Sequence, residues 1–328
     1  MSIDLLSLEP HQVSRDLRGY SLLLYGDPKS GKTTIASQFP GALLLAFEKG
    51  YRALPGVMAQ PMNTWADMMK VMKQLRKEEV KERFETIVID TGDLAYDACE
   101  KHVCNLHGVA KINEIAWGGG YAEAGRLLDA VLQELARLGY GVIVISHADD
   151  KTLTDEQGNE FQKIQPTLAK TPRRIITRFC DIIGYSRIVR HVREDGTDIE
   201  TTYLYMRGTI RFEAGSRFRY TPDAIEFSYQ NLVNAIADAV DKEAAANQNS
   251  VTDRIENVYT YESKDYDTVM ERFVELTGQL MQQNAENQPK IESIIESIIG
   301  KGRKVSQLDK DSADAIDAIN EELAGLLE

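Results

Sequence analysis

Four short runs of apolar residues divide the first half of the chain. They lie at 20–26 (YSLLLYG), 41–47 (GALLLAF), 85–90 (ETIVID) and 140–146 (YGVIVIS). Runs this short and continuous are typical of strands that are buried on both faces of a parallel sheet. The pattern therefore predicts four parallel strands in the first 150 residues.

Helical periodicity occupies the segments between these runs. Asn63 is placed to cap a helix whose apolar side carries Trp65, Met68, Met69, Met72 and Leu75, a stripe that we interpret as core packing. Residues 121–138 (YAEAGRLLDAVLQELARL) form a second, strongly amphipathic segment. Strands that alternate with helices indicate an α/β fold with right-handed crossovers.

The pattern changes after residue 147. The segments 155–160 (DEQGNE) and 193–200 (REDGTDIE) are typical of tight turns between extended stretches rich in β-branched and aromatic residues. They predict an antiparallel extension of the sheet. Residues 229–242 return to a helical period.

A small, polar stretch marks the predicted domain boundary. Residues 243–252 (EAAANQNSVT) have little to bury, so we expect an α/β core over 1–242, a linker over 243–252, and a helical region over 253–328. In that last region, helical spacing predicts three helices at 265–283, 290–299 and 309–327.

Composition is that of an ordinary globular protein. The 328 residues are 43% hydrophobic and 27% charged, and no apolar run reaches the roughly 18 residues that span a bilayer. Three cysteines are too few for a disulfide framework, and the N-terminus does not have the pattern of a secretory signal. We therefore expect a cytoplasmic protein with reduced thiols and no membrane association.

Charge is unevenly distributed along the chain. The net charge is −13, yet residues 163–220 hold 12 basic and 6 acidic residues, whereas residues 241–328 hold 9 basic and 19 acidic ones. A basic segment followed by an acidic region is compatible with a nucleic-acid partner. A solvated face without any partner is the alternative.

One motif is specific. Residues 26–34 (Gly26, Asp27, Pro28, Lys29, Ser30, Gly31, Lys32, Thr33, Thr34) fit the phosphate-binding loop G-x-x-x-x-G-K-[ST], with an apolar strand before it and a helical segment after it. Its glycines let backbone N–H groups approach phosphates, Lys32 supplies a positive charge, and Thr33 offers a hydroxyl to Mg²⁺. We expect this loop to bind ATP and Mg²⁺; a chance match in a glycine-rich loop is the alternative.

Polar residues at three strand ends are candidates for the rest of the site. Asp90 is placed to support Mg²⁺, or else simply begins a turn. Glu48 is placed to orient the attacking water, or else pairs with Lys49 on the surface. His147 is placed to contact the γ-phosphate, or else is a hydrogen-bonded histidine at the sheet edge.

The motifs GDPKSGKTT, ALLLAFEKG, TIVIDTGD and GVIVISHAD together resemble the RecA-type recombinase core, over about residues 18–235. More narrowly, the chain is similar to the phage AAA ATPases of the Sak group of single-strand annealing proteins. This resemblance implies that Glu48 is the catalytic base, that Asp90 is the strand-end aspartate, and that His147 stands where RecA has a glutamine.

The resemblance also implies a homo-oligomer, ring or filament, with ATP at subunit interfaces and a basic finger from the neighbouring subunit. Four arginines, Arg207, Arg211, Arg217 and Arg219, lie where such a finger would fall, and Arg217 matches the family position best. Phosphate-backbone contacts or surface ion pairs are the alternative for each of them.

Two segments are candidates for contacts with DNA. Residues 111–121 place Trp117 and Tyr121 on either side of three glycines, which suits base stacking, and the span 150–174 carries Lys163, Lys170, Arg173 and Arg174. The alternative for the first segment is a flexible turn with Trp117 packed inward. Without a base-reading motif, we expect binding to phosphates that is independent of sequence and sensitive to salt.

The functional hypothesis is a Mg²⁺-dependent ATPase that binds single-stranded DNA in phage-type recombination, annealing or replication. The acidic C-terminal region would then compete for the basic face or bind a partner such as a single-strand-binding protein. Three alternatives remain open: a nucleotide-gated assembly or adaptor ATPase without DNA, a small-molecule kinase, and a RecA-type hexameric helicase.

Overall fold

The computed structural model describes residues 12–192, 197–247, 251–252, 265–309 and 312–327. The chain divides into two compact units, a core unit of His11–Thr260 and a second unit of Met1–Pro10 with Tyr261–Glu328. The boundary falls later than the predicted linker at 243–252. Residues up to Asn247 continue a helix of the core unit, and Val251–Thr252 pair in parallel with Val13–Ser14.

The core unit is built on a mostly parallel sheet. Its described strands are β1 (Val13–Ser14), β2 (Ser21–Gly26), β3 (Ala42–Ala46), β4 (Ala59–Pro61), β5 (Thr86–Asp90), β6 (Gly141–Thr154), β7 (Glu160–Pro166), β8 (Ile182–Val192), β9 (Asp198–Tyr205), β10 (Gly215–Ser216), β11 (Ala224–Glu226) and β12 (Val251–Thr252). The main sheet has the order β11-β9-β8-β2-β6-β5-β3-β4, with β10 paired to β8 and β7 to β6. Strands β2, β3, β4, β5, β6 and β8 are parallel, and β7, β9, β10 and β11 pair antiparallel, which confirms the predicted extension.

Helices cover both faces of this sheet. They are α1 (Lys32–Ala36), α2 (Trp65–Leu75), α3 (Glu78–Lys81), α4 (Gly92–His107), α5 (Gly119–Arg137), α6 (Lys170–Phe179) and α7 (Tyr229–Asn247). Side chains alternate along β2, so that Leu23 packs in one hydrophobic cluster with α2, α4, α5 and α6, while Leu22 and Leu24 pack in the other with α1 and α7. Each of these leucines is fully buried, which contributes about 2 kcal/mol to stability.

The start of α2 corrects one prediction. Asn63 does not cap this helix; the side chain of Thr64 accepts a hydrogen bond from the backbone of Asp67, whose carboxylate in turn accepts one from the backbone of Thr64. This reciprocal capping box satisfies two backbone donors, whereas a single asparagine would satisfy one. Met68 and Met72 are fully buried, which confirms their predicted role in core packing, whereas Met69, predicted on the same stripe, is 46% exposed.

Strand β6 extends further than predicted. Its last parallel partner pair is Gly26 with His147, but the strand continues to Thr154 and forms a hairpin with β7. His147 therefore marks the point where β6 leaves the parallel sheet and does not end a strand. The predicted turn at 155–160 closes this hairpin, and the one at 193–200 connects β8 with β9, with residues 193–196 outside the described part.

The second unit contains helices α8 (Tyr266–Gln283), α9 (Gln288–Ile299) and α10 (Ala313–Ala324), in agreement with the three predicted segments. Its core is formed by apolar side chains at helical spacing, which include Leu276, Leu280, Ile316, Ile319 and Leu323. The buried side-chain amide of Asn320 donates to the carbonyl of Val269 at 2.8 Å and ties α10 to α8. Among the described residues, no helix combines the length and apolarity that a membrane span requires.

Candidate functional site: a phosphate-binding loop at the carboxyl end of the sheet

The loop between β2 and α1 has the backbone that the phosphate-loop motif requires. Gly26 ends β2 with φ 149°, and Gly31 precedes α1 with φ 85°. A Cβ atom on Gly26 would lie 1.9 Å from the carbonyl oxygen of Ser186, which leaves no space for any side chain. The motif glycine is therefore required both for its conformation and for its contact with β8.

Strand β8 supports this loop from one side. The backbone N–H of Asp27 donates to the Ser186 carbonyl at 3.1 Å, and the Asp27 carboxylate accepts from the backbone N–H of Ile188 at 3.1 Å. The hydroxyls of Ser30 and Ser186 are 2.7 Å apart. Sequence reasoning missed Ser186 because a serine within an apolar strand carries no motif; its position beside the loop follows only from the pairing of β2 with β8.

Lys32 is buried inside the loop that it serves. Its ammonium donates to the carbonyl oxygens of Gly26 at 3.0 Å and Asp27 at 2.7 Å, and the residue is 5% exposed. Burial lowers the pKa of Lys32 to about 8, although the nearby carboxylates of Asp90, Asp27 and Glu48 act in the opposite direction. The only hydrogen bonds of this ammonium within the described chain go to neutral oxygens, so it is available to an anionic ligand.

Thr33 and Asp90 meet beside Lys32. The hydroxyl of Thr33 donates to the carboxylate of Asp90 at 2.9 Å. Asp90 is 3% exposed, and this burial raises the pKa of its carboxyl group, while the Thr33 hydrogen bond opposes the shift. A hydroxyl and a carboxylate are oxygen ligands of the kind that Mg²⁺ prefers, so these residues fit the predicted metal role.

Glu48 and His147 face each other across the same edge. His147 Nε2 lies 3.3 Å from a carboxylate oxygen of Glu48, and both side chains are partly exposed. The backbone N–H of Glu48 donates to the Asp90 carbonyl at 3.0 Å, which fixes it next to the predicted metal ligand. His147 Nδ1 is buried and has no hydrogen-bond partner in the described part of the chain.

A second polar network, which sequence reasoning missed, lies beneath this pair. The Asp93 carboxylate accepts hydrogen bonds from the hydroxyls of Ser146 and Thr167, both at 2.8 Å. The backbone N–H of Thr167 donates to the carbonyl of His147 at 3.0 Å. Asp93 therefore joins the start of α4 to Ser146 of β6 and to Thr167, the residue that follows β7. The signal available in the sequence was a second aspartate in TIVIDTGD.

Arg217 lies at the other end of the central strands, beside the start of β2 and β8. Its guanidinium contacts the Asp181 carboxylate at 3.3 Å and donates to the carbonyl of Arg178 at 3.0 Å. Asp181 precedes β8 and pairs with Ser21 at the start of β2, and the length of β2 puts this point about 16 Å from the loop. Arg217 is therefore separate from the other predicted site residues of its own chain.

The other arginines of this segment differ in environment. Arg207 donates to the backbone carbonyls of Phe218 and Arg219, so it holds a turn together. The remaining two, Arg211 and Arg219, are exposed.

Trp117 is fully exposed, at 102% of its reference area, and has a left-handed backbone with φ 59°. The alternative of an inward-packed tryptophan is wrong. Tyr121, in the first turn of α5, is 40% exposed.

Comparison with known proteins identifies the family of this chain. A family model described as "AAA domain" matches residues 18–218, which covers the phosphate loop, Glu48, Asp90 and His147. The chain belongs to this AAA domain family. It is 29% identical over 337 aligned residues to the SPbeta prophage-derived uncharacterized protein YorG of Bacillus subtilis (strain 168), across 100% of this chain and 99% of that protein. Neither comparison extends to the single-strand annealing subgroup, which stays a prediction.

Proposed function

We propose that this chain is a Mg²⁺-dependent ATP hydrolase that acts on single-stranded DNA during phage-type recombination, annealing or replication. One observation supports the hydrolytic part more than any other. The Thr33–Asp90 pair and the Glu48–His147 pair lie at one sheet edge beside a phosphate-binding loop. Asp90 ends β5, Glu48 follows β3 and His147 lies in β6, so three separate strands bring polar side chains to the loop that contains Thr33 and would hold the triphosphate.

In this proposal, the ammonium of Lys32 exchanges the loop carbonyls for the β- and γ-phosphates, where its charge is balanced more fully. Thr33 and Asp90 would hold Mg²⁺, which would supply positive charge to the phosphate oxygens. The N-terminal end of α1, whose first backbone N–H groups have no acceptor within the helix, would face the phosphates.

Glu48 orients the attacking water and accepts its proton. Its carboxylate is next to His147. If the His147 ring forms a hydrogen bond with the γ-phosphate instead, the Glu48 carboxylate becomes available to the water. Because β6 continues from His147 into the hairpin with β7, a movement of His147 would pass directly to the hairpin.

Arg217 is the proposed finger that completes the site of a neighbouring subunit. Its distance from the loop of its own chain agrees with a role in trans, where a guanidinium would stabilise charge on the transferred phosphoryl group. The proposed assembly is therefore a homo-oligomer, ring or filament, in which each nucleotide contacts two chains. The acidic helical unit at the C-terminus is the proposed contact for a single-strand-binding protein.

The main test is the rate of ATP hydrolysis with and without single-stranded DNA, at low and high salt. We expect Mg²⁺-dependent turnover that DNA stimulates and salt suppresses. Turnover without any DNA binding at low salt would favour the assembly or adaptor alternative. Phosphate transfer only to a small acceptor would favour a kinase, and displacement of a paired strand would favour a helicase.

A mixing experiment tests the shared site. Glu48→Gln and Arg217→Ala should each remove most of the turnover when assayed alone. A mixture of the two inactive proteins should regain activity, because some interfaces would combine an intact Glu48 with an intact Arg217. A mixture that stays inactive, while both proteins still assemble, would contradict the trans role of Arg217.

A further inference from the structure

One face of α6 carries a basic stripe. Lys170, Arg174 and Arg178 are exposed and recur at intervals of four residues, which places them on one side of the helix. The opposite side is buried through Ile175 and Ile176. The stripe is therefore the outward surface of a helix that is firmly packed into the core.

Helix α5 lies directly beside this stripe. A Cβ atom on Gly125 would be 3.0 Å from the Thr171 side chain, so the two helices approach each other closely. Further along, Arg178 pairs with Asp129 of α5 at 2.9 Å. Arg126 is exposed on the same outward side of α5.

Three of these cations are free to bind an anion. Within the described residues, Arg126, Lys170 and Arg174 form neither a hydrogen bond nor an ion pair through their side chains, whereas Arg178 is already paired with Asp129. Unpaired cations grouped on two adjacent helices favour a ligand with repeated negative charges.

An aromatic group adjoins the basic surface at the start of α5. Trp117 is fully exposed, and Tyr121 is 40% exposed one turn later. The rise of a helix puts Gly119 about 10 Å from Arg126 along the axis. Single-strand-binding folds cover sites of about four nucleotides or more. A single strand of that length can reach from the aromatic side chains to Arg126.

The neighbouring hairpin has the opposite charge. Residues 149–163 hold five acidic and two basic residues, the latter being Lys151 and Lys163, which face each other across the two strands. A polyanion is repelled there. The predicted DNA segment 150–174 thus divides into an acidic hairpin and a basic helix.

We propose that the α5–α6 face, formed by Arg126, Lys170 and Arg174 with Trp117 and Tyr121, is the surface that binds single-stranded DNA. The inference rests on the proposed function and assigns its DNA contacts to a defined place. Phosphates lie along the basic stripe, and unpaired bases stack on Trp117. A duplex would keep its base faces covered, so the aromatic part selects single strands.

Tryptophan fluorescence tests this directly, because the chain has two tryptophans and Trp65 is 1% exposed. The full-length protein is titrated with a roughly 20-nucleotide oligothymidylate at about 50 mM salt, and affinity is measured independently by anisotropy of labelled DNA. We expect DNA to quench the exposed Trp117. Trp117→Ala should lose the quenching and bind about tenfold more weakly.

Charge variants supply the matched control. The double substitution Lys170→Gln with Arg174→Gln should weaken binding roughly tenfold or more and reduce the slope of log affinity against log salt by about 1.4. Lys151→Gln with Lys163→Gln removes the same charge from the hairpin and should leave both quantities unchanged. ATP turnover without DNA should be unaffected in Trp117→Ala and in both double variants, because none of these residues belongs to the catalytic site.

The outcomes separate the two proposals. DNA binding that survives the α6 substitutions, that depends equally on the hairpin lysines, or that leaves Trp117 fluorescence unchanged would overturn this surface while the proposed function stands. Failure of the unmodified protein to bind any single strand at low salt would overturn the DNA part of the proposed function itself. A similar affinity for duplex DNA would contradict the stacking role of Trp117.

Discussion

The contact between Gly26 and β8 makes the consequence of a single added methyl group predictable. In Gly26→Ala, the new Cβ would lie 1.9 Å from the Ser186 carbonyl oxygen, which is backbone and cannot rotate away. Real Cβ atoms essentially never come closer than 3.0 Å to such an atom, so the loop and β8 would have to separate by more than 1 Å to remove the clash. That displacement would break the Asp27–Ser186 backbone hydrogen bond and the contact between Ser30 and Ser186.

The cost follows from these losses. Two buried hydrogen bonds contribute about 1 kcal/mol each, and an alanine held at φ 149° costs about 1–3 kcal/mol more. We therefore expect Gly26→Ala to lower the free energy of unfolding by about 3–5 kcal/mol. For a domain of this size that corresponds to a drop of roughly 10 °C in melting temperature.

Gly31→Ala is the matched control, because it adds the same methyl group to the same loop. Its φ of 85° is also unfavourable for alanine, but its Cβ would meet only a side-chain atom of Ile35 at 4.0 Å. It should cost about 1–2 kcal/mol, from conformation alone. Both variants are compared by urea unfolding, followed through the fluorescence of buried Trp65, which reports on the core unit.

The comparison has a clear point of failure. If Gly26→Ala is no less stable than Gly31→Ala, the close approach of the loop to β8 does not exist in solution, and the support that we assign to Ser186 is wrong. Loss of nucleotide binding in both variants, with the stability difference intact, would agree with the reasoning, because both alter the phosphate-binding backbone.

Three further outcomes are expected. Glu48→Gln should bind ATP with unchanged affinity and lose at least about 100-fold in turnover; wild-type hydrolysis would place the base elsewhere. Arg207→Ala should lower the free energy of unfolding by about 2 kcal/mol through lost bonds to two carbonyls, whereas exposed Arg211→Ala should not, as urea unfolding would show. Burial raises the pKa of Cys99 to about 12, and all three thiols are buried. A disulfide reagent at pH 8 should therefore label the native protein slowly and label all three cysteines of the unfolded chain. Rapid labelling of the native protein would contradict that burial.

Local patterns predicted much of the fold because each pattern has a direct physical cause. The four apolar runs form strands of the main sheet, because strands buried on both faces are continuously hydrophobic. The helix over 121–138 was recognisable from its amphipathic period and lies at Gly119–Arg137. The cap of α2 was misplaced by one residue because Asn63 and Thr64 are both good caps, and the reciprocal bond with Asp67 decides between them.

Other features depended on contacts between distant segments. Nothing local indicates that Ser186 lies beside residue 26, because that proximity follows from β8 pairing next to β2 across about 160 residues of chain. The Asp93 network likewise needs α4, β6 and β7 to meet. The end of the core unit also depends on a distant contact: residues 251–252 are too short to signal a strand, and they pair with residues 13–14.

The register of the parallel strands explains why residues from four separate segments form one site. Ala46 pairs with Asp90, Asp90 with Ile145, and Gly26 with His147, so β2, β3 and β5 end at the level where β6 leaves the parallel sheet. Any polar residue just beyond such an end lies at the same edge as the phosphate loop. A shift of one residue in the pairing register of β6 would move His147 away from Glu48 and turn the buried Ser146 away from Asp93. The hydrophobic pattern that fixes the register therefore also fixes the geometry of the site. The fold and the proposed chemistry thus depend on the same pairing, because the side chains that bury the sheet set the positions of those that would bind the nucleotide.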